Sequence, residues 1–185
     1  VPPSRLLSVG QSHCLVLDRF DRTPSGRVPY LSGFALTEAP DPAAGDYLEL
    51  AEALAEIDID DLSGTLRELW RRIAFNIAMR NTDDHLKNHG VLWSGGGWRL
   101  SPAFDITPNP IGGVERATRI DGEALPVREA SALIGLAHEF GISEAEWRPI
   151  LADVLAAAST WRSHARTLGL SDKDAALLQR PLGQA

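Results

Sequence analysis

Lysine is nearly missing from this 185-residue chain: Lys87 and Lys173 are the only two among 18 basic residues. Cysteine and methionine are scarcer still, with one of each. A lone Cys14 excludes an internal disulfide and suits a reducing, cytoplasmic setting. No apolar run approaches the roughly 20 residues a membrane helix requires, and no signal peptide opens the chain, so no membrane role is expected. The formal charge of -7 argues against direct nucleic-acid binding, which needs clustered Lys and Arg on the phosphates. Partners are therefore expected to be proteins. There is also no G-x-G-x-x-G motif, and hence no glycine-rich phosphate loop of that kind. At this length the chain suits one domain that buries roughly 70% of its unfolded surface.

What is present is concentrated between residues 81 and 105. The run Asn81-Thr82-Asp83-Asp84-His85-Leu86-Lys87-Asn88 is followed by Asp105 in Ala103-Phe104-Asp105-Ile106. Moving a γ-phosphoryl group onto a hydroxyl requires a positioned proton acceptor, and divalent metal to neutralise the phosphate oxygens. Hard oxygen ligands hold such a metal. In protein kinases the base Asp and a metal-binding Asn stand five residues apart, and a second metal-binding Asp follows a short β-hairpin. Asp83 and Asn88 have that spacing. Between Asn88 and Asp105, the apolar runs Val91 to Trp93 and Trp98 to Leu100 flank Gly95-Gly96-Gly97, which predicts a hairpin that returns Asp105 toward Asn88. A phosphate cradle is the weaker reading of those glycines, because a strand follows them and not a helix N-terminus.

The remaining pattern is mainly helical. Cys14 to Leu17 reads as a strand with Cys14 packed, Thr23 to Gly26 as a turn, and Arg27 to Phe34 as a return strand. Ala39 to Gly45 reads as a connector. Asp46 is placed to cap a helix through Ile57, with Tyr47, Leu50, Leu54 and Ile57 on one face. A second helix, about Leu62 to Arg80, turns Leu66, Leu69, Trp70, Ile73 and Ile77 inward and delivers the 81–88 loop. Irregular chain is expected from Asp105 through Pro126, then a helix over Ser131 to Phe140 stopped by Gly141. Ser143 with Glu146 forms a capping-box pattern, Pro149 is expected to kink the following helix or delay its start, and Ser171 with Asp174 opens a last short helix. Trp70, Trp147 and Trp161 are expected in the core.

Each candidate residue has a plainer reading. Asp84 reads as a neutral neighbour of Asp83. His85 and His89 are four apart, but with no further His or Cys cluster zinc is disfavoured; His85 is expected to hold the loop through backbone carbonyls. Lys87 is either a solvated loop residue or, as favoured here, a contact to the transferring phosphate. Arg19 and Asp21 pair most simply with neighbours, and Phe20 packs on adenine or on the core.

The runs FNIAMRNTDDHLKNHGVLW and GWRLSPAFDITPNP closely resemble the C-terminal domain of HipA-like serine/threonine kinases, the toxin halves of bacterial toxin-antitoxin pairs. VPPSRL, LVLDRFDRTPSGRVPYLS and DYLELAEAL agree in order. The resemblance covers nearly the whole chain. It implies a mostly α fold with a small β portion: a protein-kinase-like helical C-terminal lobe with an N-terminal β-hairpin and a catalytic β-hairpin. Residues 1–35 would form a hinge-proximal β segment, and 36–185 the helical lobe with the catalytic loop at 81–88. It implies Asp83 as catalytic base, Asn88 and Asp105 as magnesium ligands, and Asp18, Arg19 and Phe20 as the hinge whose backbone meets the adenine of ATP. It further implies a HipB-like DNA-binding antitoxin as partner, DNA contact only through it, and a protein substrate among translation components such as an aminoacyl-tRNA synthetase. Family members carry a preceding lobe with a phosphate loop and a strand lysine; without it the chain is expected to be weak or inactive alone. Two alternatives stay open, a non-catalytic interaction module and a metal-dependent hydrolase using Asp83, Asp84, His85, His89 and Asp105.

Overall fold

Two antiparallel strands open the chain in the computed structural model, which describes residues 1–10, 12–41 and 45–182. β1 (Ser4–Val9) pairs with β2 (Ser12–Leu17), in register from Ser4 opposite Leu17 to Val9 opposite Ser12. Asp18 N–H donates to the Pro3 carbonyl at 2.9 Å and closes the open end. Leu6, Leu7, Val9, Leu15 and Leu17 are exposed, and so is Cys14, which corrects the expectation that Cys14 packs. Strand pairing satisfies the backbone, but burying strand side chains takes a second layer, and no described element covers this ribbon.

The return strand expected over 27–34 is divided. A short ladder joins β3 (Arg22–Thr23) to β4 (Gly26–Arg27). Pro29, which has no N–H to donate to a ladder, separates it from β5 (Tyr30–Ser32), and Ser32 then caps α1 (Gly33–Leu36) by accepting from Ala35 N–H at 3.2 Å. β5 pairs with β6 (Gly90–Trp93), and β6 with β7 (Trp98–Leu100), giving an antiparallel sheet in the order β5-β6-β7. β6 and β7 are the expected hairpin, turning through Gly95 at φ +93°. At Gly90 a side chain would collide with the Tyr30 hydroxyl and the Leu31 carbonyl, so β5 lies this close only because position 90 is glycine.

α2 (Tyr47–Ala55) begins as expected, with Asp46 Oδ1 accepting from Leu48 N–H at 2.8 Å. Pro42, Ala43 and Ala44 of the connector before it lie outside the described residues. α3 (Leu62–Ala78) is capped by Asp61 and buries Leu69, Trp70, Ile73, Ala74 and Ile77. Trp70 Nε1–H donates to the Leu133 carbonyl at 3.1 Å, as a buried indole must find an acceptor. These side chains, with Tyr47, Leu50, Leu54, Leu86, Ile120 and Phe140, form the core.

α4 (Pro126–Gly135) starts five residues before the expected Ser131. Proline suits the first helical position, where its missing N–H has no intrahelical partner to lose. The helix gives way at Leu136 to a 3-10 turn (Ala137–Phe140), which Gly141 ends at φ +67° as expected. The Ser143 N–H and Oγ–H both donate to Glu146 Oε2, at 2.9 and 2.6 Å. That capping box starts α5 (Glu144–Ser159) at Glu144, so Pro149 lies inside the helix and does not delay it. α6 (Trp161–Thr167) and α7 (Asp172–Leu182) complete the described residues, α7 opened by Ser171 and Asp174 as expected. Trp147 packs against the core, whereas Trp161, expected there, is only half-buried.

Candidate functional site

α3 ends at Ala78 with Met79 as its C-cap, and Arg80 reverses the chain at φ +52°. Asn81 N–H donates back to the Asn76 carbonyl at 2.8 Å. Along the loop that follows, Asn81, Thr82, Asp84, Asn88 and His89 are buried while Asp83 and Lys87 are exposed. The two adjacent carboxylates therefore face opposite environments. Asp84 Oδ2 accepts from the Tyr47 hydroxyl of α2, from Asn76 Nδ2 of α3 at 2.5 Å and from His89 Nε2 at 2.9 Å. Burial alone pushes the Asp84 carboxyl up, but His89, the Tyr47 hydrogen bond and the Arg116 charge together hold it below its ordinary value. With Asp84 ionised, Nε2 is the donating nitrogen of His89. Burial, then the Asp84 charge, raises Tyr47 well above a normal phenol. Asp84 is thus a buried anchor and not the neutral neighbour expected.

Arg116, from the irregular segment after Asp105, extends the network. Its Nε–H donates to Glu129 Oε2 of α4 at 3.0 Å and its Nη1–H to the Asn81 carbonyl at 3.0 Å. Nη2 lies 2.9 Å from the same carboxylate oxygen, completing the ion pair without a well-directed hydrogen bond. Burial raises the Glu129 carboxyl against the pull of Arg116. For Arg116, burial lowers the guanidinium, while Tyr47 and Glu129 reverse it to a net rise. Asp105 itself stands at φ +57°, a left-handed conformation that Asp tolerates better than most residues.

Two cavities flank Phe104. One, of about 360 Å³, is lined by Asp18, Arg19, Phe20, Tyr30, Lys87 and Phe104. The Phe20 ring lies 5.4 Å from that of Phe104 and 6.0 Å from that of Tyr30. Lys87 Nζ is 5.3 Å from the centre of the Phe34 ring. Arg19 pairs with Asp21 through two bonds of 2.9 and 2.7 Å, and the Arg19 hydrogen bond holds Asp21 down at about 2. The other cavity, of about 380 Å³, takes in Asn88, Ala103, Phe104 and Ile106, with Phe75 and Val154 on its apolar wall.

The residues expected to meet adenine thus share a cavity with Lys87, and Asn88 shares the other with the residues flanking Asp105. Asp83, His85 and Asp105 line neither of the two. Nδ1 of His85 is buried without a hydrogen-bond partner; the histidine that holds the loop is His89, and it does so through a carboxylate instead of backbone carbonyls. Among the described residues no three His, Cys, Asp or Glu side chains converge as a metal site built from them requires, and Asp84 and His89 are engaged with each other. The Asn88 amide and the Asp105 carboxylate supply hard oxygen donors of the kind magnesium takes.

Tyr47, Asn76 and Arg116 escape sequence reasoning. Tyr47 carries the apolar-face signal of α2 but nothing that marks its hydroxyl, and Asn76 carries one faint signal, a polar residue on the inward face of α3.

Residues 1–161 match the family described as HipA-like C-terminal domain. A curated relative from Sinorhizobium fredii (strain NBRC 101917 / NGR234), named "Putative kinase Y4dM", is 32% identical over 105 residues, 53% of this chain and 25% of that protein. The fold is that of a chain in the solved complex of the Shewanella oneidensis MR-1 toxin-antitoxin system HipA, HipB and its operator DNA. The TM-score is 0.73 at 17% identity, over all of this chain and 50% of that one. The chain therefore spans half the length of that structural relative and aligns with a quarter of the curated one.

Proposed function

This chain belongs to the HipA-like C-terminal domain family, and from that premise we propose that it is the catalytic lobe of a serine/threonine protein kinase toxin. One observation carries the assignment of roles. Asp84 is buried with three donors on its Oδ2, and Asp83 is the exposed carboxylate of the pair, five residues before Asn88. In this reading Asp83 orients the acceptor hydroxyl and takes its proton as the oxygen bonds to the γ-phosphorus of ATP and the bond to ADP breaks. Asn88 and Asp105 would hold magnesium, which when bound neutralises the phosphate oxygens. Asp18, Arg19 and Phe20 would receive the adenine through the hinge backbone, and Lys87, in the same cavity, would bring positive charge toward the phosphates.

By analogy with the HipA–HipB–DNA complex, the partner would be a DNA-binding antitoxin, and the charge of -7 favours indirect DNA contact. The substrate would be a serine or threonine hydroxyl of a translation component such as an aminoacyl-tRNA synthetase. In a protein that includes the phosphate-loop lobe, Asp83→Asn should lower magnesium-dependent phosphoryl transfer on the order of 10² to 10⁴-fold, the usual contribution of a general base. ATP affinity should stay near wild type, because the base acts on the transition state. Undiminished transfer in that variant would remove Asp83 from the reaction.

A second reading, a non-catalytic binding module, draws support from the exposed apolar ribbon of β1 and β2. Magnesium-ATP titrations of this chain and of the longer protein separate the two, since a module binds nucleotide in neither.

A further inference from the structure

The segment that carries Asp105 and the loop that carries Asp83 are joined by hydrogen bonds that need no metal. Asn109 N–H donates to the Arg80 carbonyl at 3.0 Å, and Ala117 N–H to the Thr82 carbonyl at 2.9 Å. Asn109 Nδ2–H donates to Thr82 Oγ1 at 2.8 Å, while Asn109 Oδ1 accepts from Ile111 N–H at 2.9 Å. Thr82, the residue immediately before Asp83, is thus gripped at both its carbonyl and its hydroxyl by residues downstream of Asp105. Asn109 stands between Pro108 and Pro110, whose rings restrict the backbone on either side and keep the amide aimed. Thr82 is buried and Asp83 exposed, so the clasp fixes the base from behind and leaves its carboxylate free.

We infer that Asn109 and Thr82 are positioning residues, a clasp that sets Asp83 in register with the Asp105 segment before nucleotide or metal arrives. The inference rests on the reading of Asp83 as the base. Misplacement of a reacting group by about 1 Å costs on the order of 10²-fold in rate, so a lost clasp is read in turnover and not in nucleotide affinity.

The test uses two variants that remove the same bond, Thr82→Val and Asn109→Ala, with Thr82→Ser as the conservative control. In the protein that includes the phosphate-loop lobe, each of the first two should lose about 10 to 100-fold in kcat with KM for ATP within about threefold. Thr82→Ser should stay near wild type, and the double variant should be no worse than the weaker single, because residues joined by one bond are not additive. Wild-type kcat in both single variants while Asp83→Asn is inactive, or losses that multiply in the double variant, overturns the clasp. A second measurement uses this chain as it stands. Hydrogen exchange at the Ala117 amide should be slow, and roughly tenfold faster or more in Asn109→Ala, while the amides of α5 keep their protection. Unchanged exchange at Ala117 overturns the clasp whatever the activity. Full activity in Asp83→Asn instead overturns the kinase assignment, and the exchange result then judges the clasp alone.

Discussion

Three donors from three parts of the fold converge on one oxygen of Asp84: Tyr47 of α2, Asn76 of α3 and His89 just before β6. An amide in its place offers an N–H toward groups that already donate, and breaking a buried charged network by removing one partner costs about 3 kcal/mol or more. Asp84→Asn should therefore lower the melting temperature by roughly 6 to 12 °C, at two to four degrees per kcal/mol for a chain of this size. Thermal unfolding within 2 °C of wild type would show that the network contributes little. Asp84 is held below its ordinary value of 3.8 in the folded state, so its contribution is fully present above that value and disappears as the pH falls through the folded one. The deficit of Asp84→Asn should narrow in acid. Asp83 carries none of these bonds and should tolerate the same change with its stability intact. The five-residue spacing to Asn88 selects Asp83 from sequence alone, but no spacing reveals Asp84 as the anchor, because its partners lie up to 37 residues away in the chain. His85 shows the converse: adjacency to the motif suggests a holding role, and the contacts assign that role to His89.

Elements with a strong local signal emerge as expected, and α5 shows how such a signal becomes energy. Glu146 is held down at about 2, first by the Ser143 hydroxyl, then by the Ser143 backbone N–H and by Arg67 of α3, whose Nη2 lies 2.5 Å from Oε1. The ordinary value is 4.5, so the charge stabilises the folded state above that pH and ceases to as the pH falls toward about 2. Glu146→Gln keeps a side chain able to complete the capping box but removes the charge. The difference in urea midpoint between wild type and this variant should hold from neutrality to about pH 5 and then close as the pH approaches 2. A difference that persists at pH 2 would assign it to packing. Helices α2, α3, α5 and α7 are legible because cap residues and the apolar period agree. β5 and α1 are not: nothing local tells the strand to stop at Pro29 and resume as a partner of β6, some 60 residues on. The start of α4 is hidden for a different reason, since Pro126 reads as a breaker from one side and as a first helical residue from the other. The exposure of Cys14 depends on whether another layer covers β2, which strand periodicity cannot report.

At the scale of the molecule, the helical body built on α3 supports a loop, a hairpin and an aromatic wall, and Asp18 to Phe20 share a cavity with that wall, Phe20 against Phe104. None of the helices among the described residues is long and apolar enough to cross a membrane. Nucleotide triphosphates are gripped chiefly through their phosphates, by loops of backbone N–H groups and by lysine. These 185 residues contain no G-x-G-x-x-G loop, and their only lysines are Lys87 and Lys173. Two cations line the cavity beside Phe104, Lys87 and Arg19, and Arg19 is paired with Asp21. Calorimetry with magnesium-ATP on this chain should therefore return a dissociation constant weaker than roughly 1 mM, about -4 kcal/mol. A longer protein that adds the phosphate-loop lobe should bind at least about a hundredfold more tightly, a gain of about 2.7 kcal/mol at 1.36 kcal/mol per tenfold. In that protein Asp105→Ala should weaken nucleotide binding only when magnesium is present if, as proposed, Asp105 holds the metal and makes no direct contact to the adenine. Low-micromolar affinity in the 185 residues alone would place the binding energy around Asp18 to Phe20 and the Phe104 wall, and a phosphate-loop lobe would then serve to position the γ-phosphate and not to hold the nucleotide.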